Sequence, residues 1–346
     1  MTILAVAVEV SMVLLILGLS DGLVEESAHR RRGIGADIII RASSSASTLT
    51  TGTNGLPESL VAEIETMPEV ALAAGTTISL PTNLQTITGI DWDRFVRMAD
   101  GVRFLQGGPF DGPDDVIIDS IYAQQTHAKL GDTMRFLNHD FHLVGVIETG
   151  KMSRIFVPLR TMQRVMGWQN EFSQIYVRLK DPSQTEAVIA RLQEKLPDLP
   201  IRSMEEFITM FTSQTREMAS SFVGAIMGIA LAVGFLVVLL SLYTAVLDRT
   251  RDIGILKSLG ASQAYIINIF LRETLWMTAG GIVVGALITW GARALVERLF
   301  PLVTILTLND HILWAIGIAI VASIGGALYP ALLAARKDPI AALSYD

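Results

Sequence analysis

Ser220–Leu247 reads SSFVGAIMGIALAVGFLVVLLSLYTAVL, and the whole stretch from Met218 to Leu247 holds no charged residue. A helix must supply about 20 predominantly apolar residues to cross about 30 Å of hydrocarbon. The run therefore predicts a membrane span over about 218–247. Two further uncharged runs, Thr274–Ala292 and Ile312–Ala335, predict spans over about 272–296 and 311–335. Gly280, Gly281, Gly285, Gly325 and Gly326 mark points where helix backbones could approach closely. Simple tolerance of small residues in membrane helices accounts for them equally well.

The run from Thr2 to about Ser20 is interrupted by Glu9. No Lys or Arg precedes its apolar core and no clear small-residue cleavage site follows, so a retained first span over 1–22 is favoured over a signal peptide. A carboxylate inside a span should face the bundle or a partner rather than lipid. It serves there either as a polar contact that moves during a working cycle or as a structural or membrane-edge group.

Composition agrees with a membrane protein. Of 346 residues, 51% are hydrophobic and only 18% charged, against about a quarter charged in soluble domains. A formal net charge of −7 argues against a nucleic-acid partner, which needs clustered Lys and Arg. The absence of cysteine excludes disulfides, thiolate zinc sites and cysteine nucleophiles.

Charge in the short loops sets the orientation. Arg249, Arg251 and Lys257 follow the second span, Arg336 and Lys337 follow the fourth, and the connection from Phe300 to His311 has neither Lys nor Arg. The positive-inside rule places the first two in the cytoplasm and the third outside. Both chain ends are then cytoplasmic and residues 23–217 lie outside. Arg30, Arg31 and Arg32 run against the trend, but long translocated domains obey the rule weakly.

The expected fold is thus a four-helix membrane protein with an α+β extracytoplasmic domain inserted between helices 1 and 2. In that insert, Ala36–Arg41 predicts a strand, 42–55 a mobile Ser/Thr/Gly-rich loop, and Pro57 the start of a helix with Leu60, Ile64 and Met67 on one face. Val70–Leu80 predicts a strand. Gln174–Lys180 alternates, with Ile175, Val177 and Leu179 on one face and Tyr176, Arg178 and Lys180 on the other. A helix carrying Ala187, Val188, Leu192 and Leu196 and a strand near Leu199–Arg202 follow. These halves, about 34–90 and 172–203, could pair as one α/β layer. Between them a β-rich insert, about 109–160, has strands at Asp115–Asp119, Thr133–Leu137, Phe141–Ile147 and Arg154–Pro158, with a turn at Gly131-Asp132.

No enzyme chemistry emerges. His139 and His142 lie three apart at a strand edge and so face opposite ways; turn and surface roles fit them better than metal ligation, which needs further ligands. Asp111, Asp114 and Asp115 lack calcium-loop spacing, and neither G-x-S-x-G nor H-E-x-x-H occurs. No catalytic residue, metal or cofactor is expected on this chain.

The loop after the second span reads Asp248-Arg249-Thr250-Arg251-Asp252-Ile253-Gly254-Ile255-Leu256-Lys257-Ser258-Leu259-Gly260-Ala261-Ser262. It predicts a short amphipathic helix over about 249–261. Ile253, Leu256 and Gly260 form one stripe, Ile255 and Leu259 flank it, and Gly260 ends it. Such a helix suits docking in a groove of a cytoplasmic partner; resting on lipid headgroups is the alternative.

This loop closely resembles the E-R-x-R-E-I-G-I-L-K-A-L-G-A-S signature of FtsX/MacB-type ABC transporter permeases, with Asp248, Asp252 and Ser258 as departures. Tyr329-Pro330-Ala331 and Ala334-Ala335-Arg336-Lys337-Asp338-Pro339-Ile340-Ala341-Ala342-Leu343 resemble the family's closing pattern. Gly35-Ala36-Asp37, Gly89-Ile90-Asp91, Gly131-Asp132 and Phe141–Val146 are similar to pieces of the MacB-like periplasmic core. Members usually carry a basic amphipathic stretch before span one, whereas this chain begins almost inside it.

The resemblance implies a permease domain over 218–346 in the bacterial cytoplasmic (inner) membrane, paired with a second copy or a related permease. It implies a separate ABC ATPase, holding the ATP and Mg, that binds through Arg249, Arg251, Asp252, Ile253, Gly254, Leu256, Lys257, Leu259, Gly260 and Ala261. The chain itself has no Gly-x-x-x-x-Gly-Lys-Ser/Thr loop. ATP-driven motion would pass through the spans to the outer domain, for export or extrusion of a substrate, with a periplasmic adaptor protein as an optional partner. The competing implication is a regulatory permease that mechanically activates a cell-wall hydrolase and transports nothing. A membrane-anchored enzyme would need a convergent polar site that the sequence does not offer.

Overall fold

A computed structural model describes residues 2–42, 55–79, 86–168, 170–299 and 309–336. The expected loop at 42–55, most of the Phe300–His311 connection and the motif from Lys337 to Leu343 lie largely or wholly outside these residues. In chain order the first half runs α1 (Thr2–Arg32), β1 (Ile38–Arg41), β2 (Leu56–Pro57), α2 (Ser59–Glu65), β3 (Val70–Ser79), β4 (Ile87–Ile90), α3 (Trp92–Met98), β5 (Phe104–Gly107), β6 (Asp115–Asp119) and α4 (Ser120–Thr126). Then come β7 (Thr133–Phe136), β8 (His139–Ile147), β9 (Ile155–Pro158), α5 (Leu159–Met166), β10 (Glu171–Phe172), β11 (Gln174–Leu179), α6 (Thr185–Lys195) and β12 (Ile201–Ser203). The chain closes with α7 (Met204–Asp248), α8 (Thr250–Ser258), α9 (Gln263–Leu299) and α10 (Asn309–Arg336).

Two compact units result: residues 1–23 with 216–346, and residues 24–215. The division falls inside α1 and α7, each of which is one unbroken helix. Among the described residues, four helices are long and apolar enough to cross a membrane: α1, α7, α9 and α10.

In the helical unit the glycines foreseen as close-approach points do different things. A Cβ on Gly285 would lie 2.7 Å from the Ala7 carbonyl oxygen and 2.9 Å from Val10 Cβ, and one on Gly281 would lie 2.6 Å from Val6 Cβ. These two residues let α9 lie directly on α1. Gly326 does the same for α10, where a Cβ would meet the Phe235 carbonyl oxygen of α7 at 2.6 Å. Gly280 only grazes Ile3. Gly285→Val is expected to push α1 off α9 and lower the melting temperature of the purified chain, an overpacking cost of about 1–3 kcal/mol. Gly291→Ala, where nothing lies within 4 Å, should leave the melt unchanged.

In the other unit one sheet carries the order β12-β1-β11-β3-β4-β9-β6-β8-β5, with β7 paired to β8. The halves expected at 34–90 and 172–203 do join: β1 pairs β11 and β12, and β11 pairs β3, all antiparallel. One face of this half buries Ile38, Ile40, Ile175, Val177 and Leu179 under Leu60 and Ile64 of α2 and Val188 and Leu192 of α6. Tyr176 lies on the opposite face, as alternation has it, and that face is covered too: Tyr176 is 2% exposed. Its face is covered by Ala28 from the end of α1 and by Phe207 and Ile208 from the start of α7. Helices that outrun their spans supply this second cover, and the strand pattern contains no trace of it.

The β-rich half follows the expected segments with one change at the β7–β8 hairpin. Leu137, expected in the strand, has φ 52° and Asn138 has φ 59°. Two left-handed central residues make the two-residue turn that matches sheet twist, so Phe136 pairs with His139 and β8 starts two residues early.

Candidate functional site

α8 is held to the helical unit at four points. Arg249 breaks the helical path after Asp248, and the Thr250 hydroxyl donates to the Val246 carbonyl at 2.9 Å. Ile253 is 4% exposed and packs with Val246, Ile266, Phe270 and Ala334. Lys257 Nζ donates to the Ala335 carbonyl at the end of α10, 2.9 Å away. The last four carbonyls of a helix lack intrahelical donors and carry partial negative charge, which a lysine ammonium satisfies. Arg249 also reaches Glu273 of α9 at 3.3 Å.

Gly260 ends the helix as its type predicts. Its φ is +95°, the Gly260 N–H bonds the Lys257 carbonyl at 3.0 Å, and the Ala261 N–H reaches back to Leu256 at 3.0 Å. This is the left-handed stop that glycine adopts without steric cost. The Ser262 hydroxyl then accepts from the Tyr265 N–H at 3.2 Å and caps α9.

The apolar stripe does not fall where periodicity placed it. Ile253 and Gly254 turn inward, while Leu256 is 38%, Ile255 42% and Leu259 81% exposed. Leu256 and Gly260 were expected to share a face with Ile253. Docking against α9 and α10 uses only the narrow edge from Thr250 through Ile253 and Gly254, because bonds at Arg249 and Lys257 fix the helix's roll. Arg251, Asp252, Ile255, Leu256, Leu259 and Gly260 project outward together, and Ala261 is partly covered.

Elsewhere the polar candidates separate. His139 Nε2 lies 2.8 Å from Asp114 Oδ1, and His142 Nδ1 lies 3.3 Å from Thr133 Oγ1, on opposite faces of β8. Asp115 closes its own turn by accepting the Asp111 and Gly112 N–H groups, each at 2.6 Å. Among the described residues no group of three or more His, Cys, Asp or Glu could hold a metal ion. Glu9 is 6% exposed in the bundle, its carboxyl lies against Gly234 of α7, and among the described residues neither carboxyl oxygen finds a hydrogen-bond partner. It faces the bundle, as a carboxyl in a span should.

Sequence reasoning missed a buried ion cluster in the α/β unit. The Arg154 guanidinium pairs with Glu26 of α1 and lies 3.4 Å from Asp119 at the end of β6. The Thr149 hydroxyl donates to Asp119 at 3.0 Å, the Tyr122 N–H at 2.7 Å, and Arg30 approaches Glu26 at 3.7 Å. Burial pushes Asp119 above the ordinary carboxylate range despite these partners. The four charges come from three distant stretches, so no spacing in the sequence announces them.

Comparison with known proteins gives concordant matches for the two halves. Residues 1–195 match the family model of the MacB-like periplasmic core domain, and residues 224–339 that of the FtsX-like permease C-terminal region. The ABC transporter permease YknZ of Bacillus subtilis is 28% identical, over 63% of this chain and 58% of its own length. The macrolide export ATP-binding/permease protein MacB of Wolinella succinogenes is 27% identical over 100% of this chain, again covering 58% of the relative. The chain thus spans little more than half of either. The crystal structure of the periplasmic region of MacB from Actinobacillus actinomycetemcomitans aligns with TM-score 0.40 and 16% identity, covering 52% of this chain and 94% of that one.

Proposed function

The chain belongs to the MacB/FtsX-type family of ABC transporter permeases, and on that premise we propose that it is the subunit through which a separate ATPase drives an extracytoplasmic α/β domain to export or extrude a substrate. The observation that carries this reading is the outward face of α8. Ile255, Leu256 and Leu259 stand exposed on a short helix fixed at both ends by Arg249 and Lys257. A rigid helix presenting exposed apolar side chains beside Arg251 and Asp252 fits a groove on a protein. Push on such a helix passes to α7, α9 and α10 through those fixed ends. α7 and α1 continue unbroken into the α/β unit, so motion has a covalent route outward.

Loop charge supports placing α8 and both chain ends in the cytoplasm of a bacterial inner-membrane protein. Exposed apolar surface on α7 and α9 leaves room for a second permease copy as well as lipid. The names of several relatives refer to macrolide export, which favours transport over regulation of a cell-wall hydrolase and makes an adaptor in the periplasm a natural further partner.

Affinity purification of the chain from its native membranes in mild detergent tests the reading. An ATPase with Walker motifs should co-purify, and ATP should change the distance between a spin label on the α/β unit and one on α8. Recovery of the intact chain with no ATPase would sink the proposal. Recovery of a hydrolase in place of an adaptor would move it to the regulatory class.

A further inference from the structure

Glu9 stands alone near the middle of the helical unit. α1 runs antiparallel to α7: the Thr2 hydroxyl lies 2.5 Å from that of Ser241, and the Glu9 carboxyl lies against Gly234, where a Cβ would overlap it. At 1.5 Å per residue, Gly234 is about 21 Å along α7 from Asp248 and about 27 Å from Arg216. A hydrocarbon layer of about 30 Å therefore takes in Glu9 whichever end of that stretch marks its edge.

No charge shares its depth. Residues 218–247 of α7, 274–292 of α9 and 312–335 of α10 contain no Asp, Glu, His, Lys or Arg, and the next charged residue along α1 is Asp21. Their titratable side chains are the phenols of Tyr243 and Tyr329, and both are exposed. Outside the described residues the single basic side chain is Lys337, joined to Arg336 where α10 ends beside Lys257 of α8. On its other side α1 is closed by α9, where Val6, Ala7 and Val10 lie on Gly281 and Gly285. Glu9 is thus enclosed by helices, and among the described residues neither carboxyl oxygen has a hydrogen-bond partner. Taking a carboxylate out of water without a partner costs far more than taking the neutral acid, so a group in such a place keeps its proton.

We propose that Glu9 and Gly234 form a proton-sensitive latch between α1 and α7. With its proton on, the carboxyl rests against the glycine and the two helices pack. When the carboxyl O–H gives its proton to water, the electron pair stays on the carboxylate, and that charge is solvated only if α1 leaves α7. Acid therefore favours packing of α1 on α7, and alkali opposes it. Gly234 is required, because a side chain there would displace the carboxyl. The latch belongs to the helical unit and does not depend on an ATPase at α8.

Because the chain has no cysteine, a Thr2→Cys/Ser241→Cys pair reports the α1–α7 contact directly. The pair is oxidised with copper phenanthroline in phosphatidylcholine nanodiscs, once with Glu9 in place and once with Glu9→Gln, whose carboxamide keeps the shape and cannot ionise. At about pH 6 both chains should cross-link at the same rate, and at about pH 9 the chain with Glu9 should cross-link roughly tenfold more slowly. Thiolate content rises with pH equally in both and drops out of the ratio. A rate ratio that stays the same at both pH values overturns the latch and assigns Glu9 to packing alone. Absence of a cross-link at acidic pH removes the contact on which the latch rests. Glu9→Leu, also neutral, takes the place of Glu9→Gln if melting curves show that the glutamine variant has not folded.

Discussion

Leu259→Asp is expected to abolish recovery of the ATPase partner while leaving the melting temperature of the chain unchanged. Leu259 is 81% exposed on α8, so among the described residues the substitution has little packing to disturb. Surface changes of this kind usually move stability by no more than about 0.5 kcal/mol. At an interface the accounting differs. Burying a leucine side chain contributes about 1.5–3 kcal/mol, and an aspartate in the same groove adds an unpaired charge. A loss of about 3 kcal/mol or more corresponds to roughly 100-fold weaker binding, which a pull-down with quantified ATPase activity reads directly. Ile253→Asp is the informative contrast. Ile253 is 4% exposed beneath α8, so that variant should lose ATPase and thermal stability together. If Leu259→Asp recovers wild-type amounts of ATPase, the outward face of α8 is not the docking surface.

The contrast between those residues shows what the loop sequence could and could not convey. The helix, its glycine stop and its apolar character follow from DIGILKSLG, because capping and periodicity are local properties. Which apolar residues turn inward is decided by partners elsewhere: Ala335 takes Lys257, and Glu273 takes Arg249. The membrane spans were legible for a related reason, since a run such as Met218–Leu247 must satisfy its own backbone in lipid wherever it goes. Their outer extensions were not. α1 continues to Arg32 and α7 begins at Met204, through segments whose polar residues look like soluble linker. There they cover Tyr176, so the polar half of an apparent amphipathic strand became a second core. That the halves at 34–90 and 172–203 could join in one layer was readable from two matched strand–helix–strand patterns, whereas which strands pair, and the order of the β-rich half, with β4 beside β9 and β6 beside β8, depend on crossovers that no local pattern encodes.

The Arg154 cluster gives the second large effect. Arg154→Met should destabilise the α/β unit by about 3–5 kcal/mol, the usual cost of removing one partner from a buried pair. For a unit of this size that amounts to a fall of roughly 10 °C in its melting transition. Methionine nearly fills the space of the arginine stem, so the loss comes chiefly from Asp119, which is 1% exposed and would keep, among the described residues, the Tyr122 N–H and Thr149 hydroxyl as hydrogen-bond donors. pH separates this cause from simple loss of packing. Burial already raises the Asp119 pKa in the native unit, and Arg154 is among the groups that oppose the rise. Without Arg154 the carboxyl holds its proton more tightly folded than unfolded. Such a group costs stability progressively as pH climbs past its unfolded value, so the deficit of Arg154→Met should be greater at alkaline than at acidic pH. Asp119→Asn placed in the Arg154→Met background removes the titrating group, and it should recover much of the lost stability and flatten that pH dependence. A pH-independent deficit, unchanged by Asp119→Asn, would assign the effect to packing around α1 rather than to the buried charge.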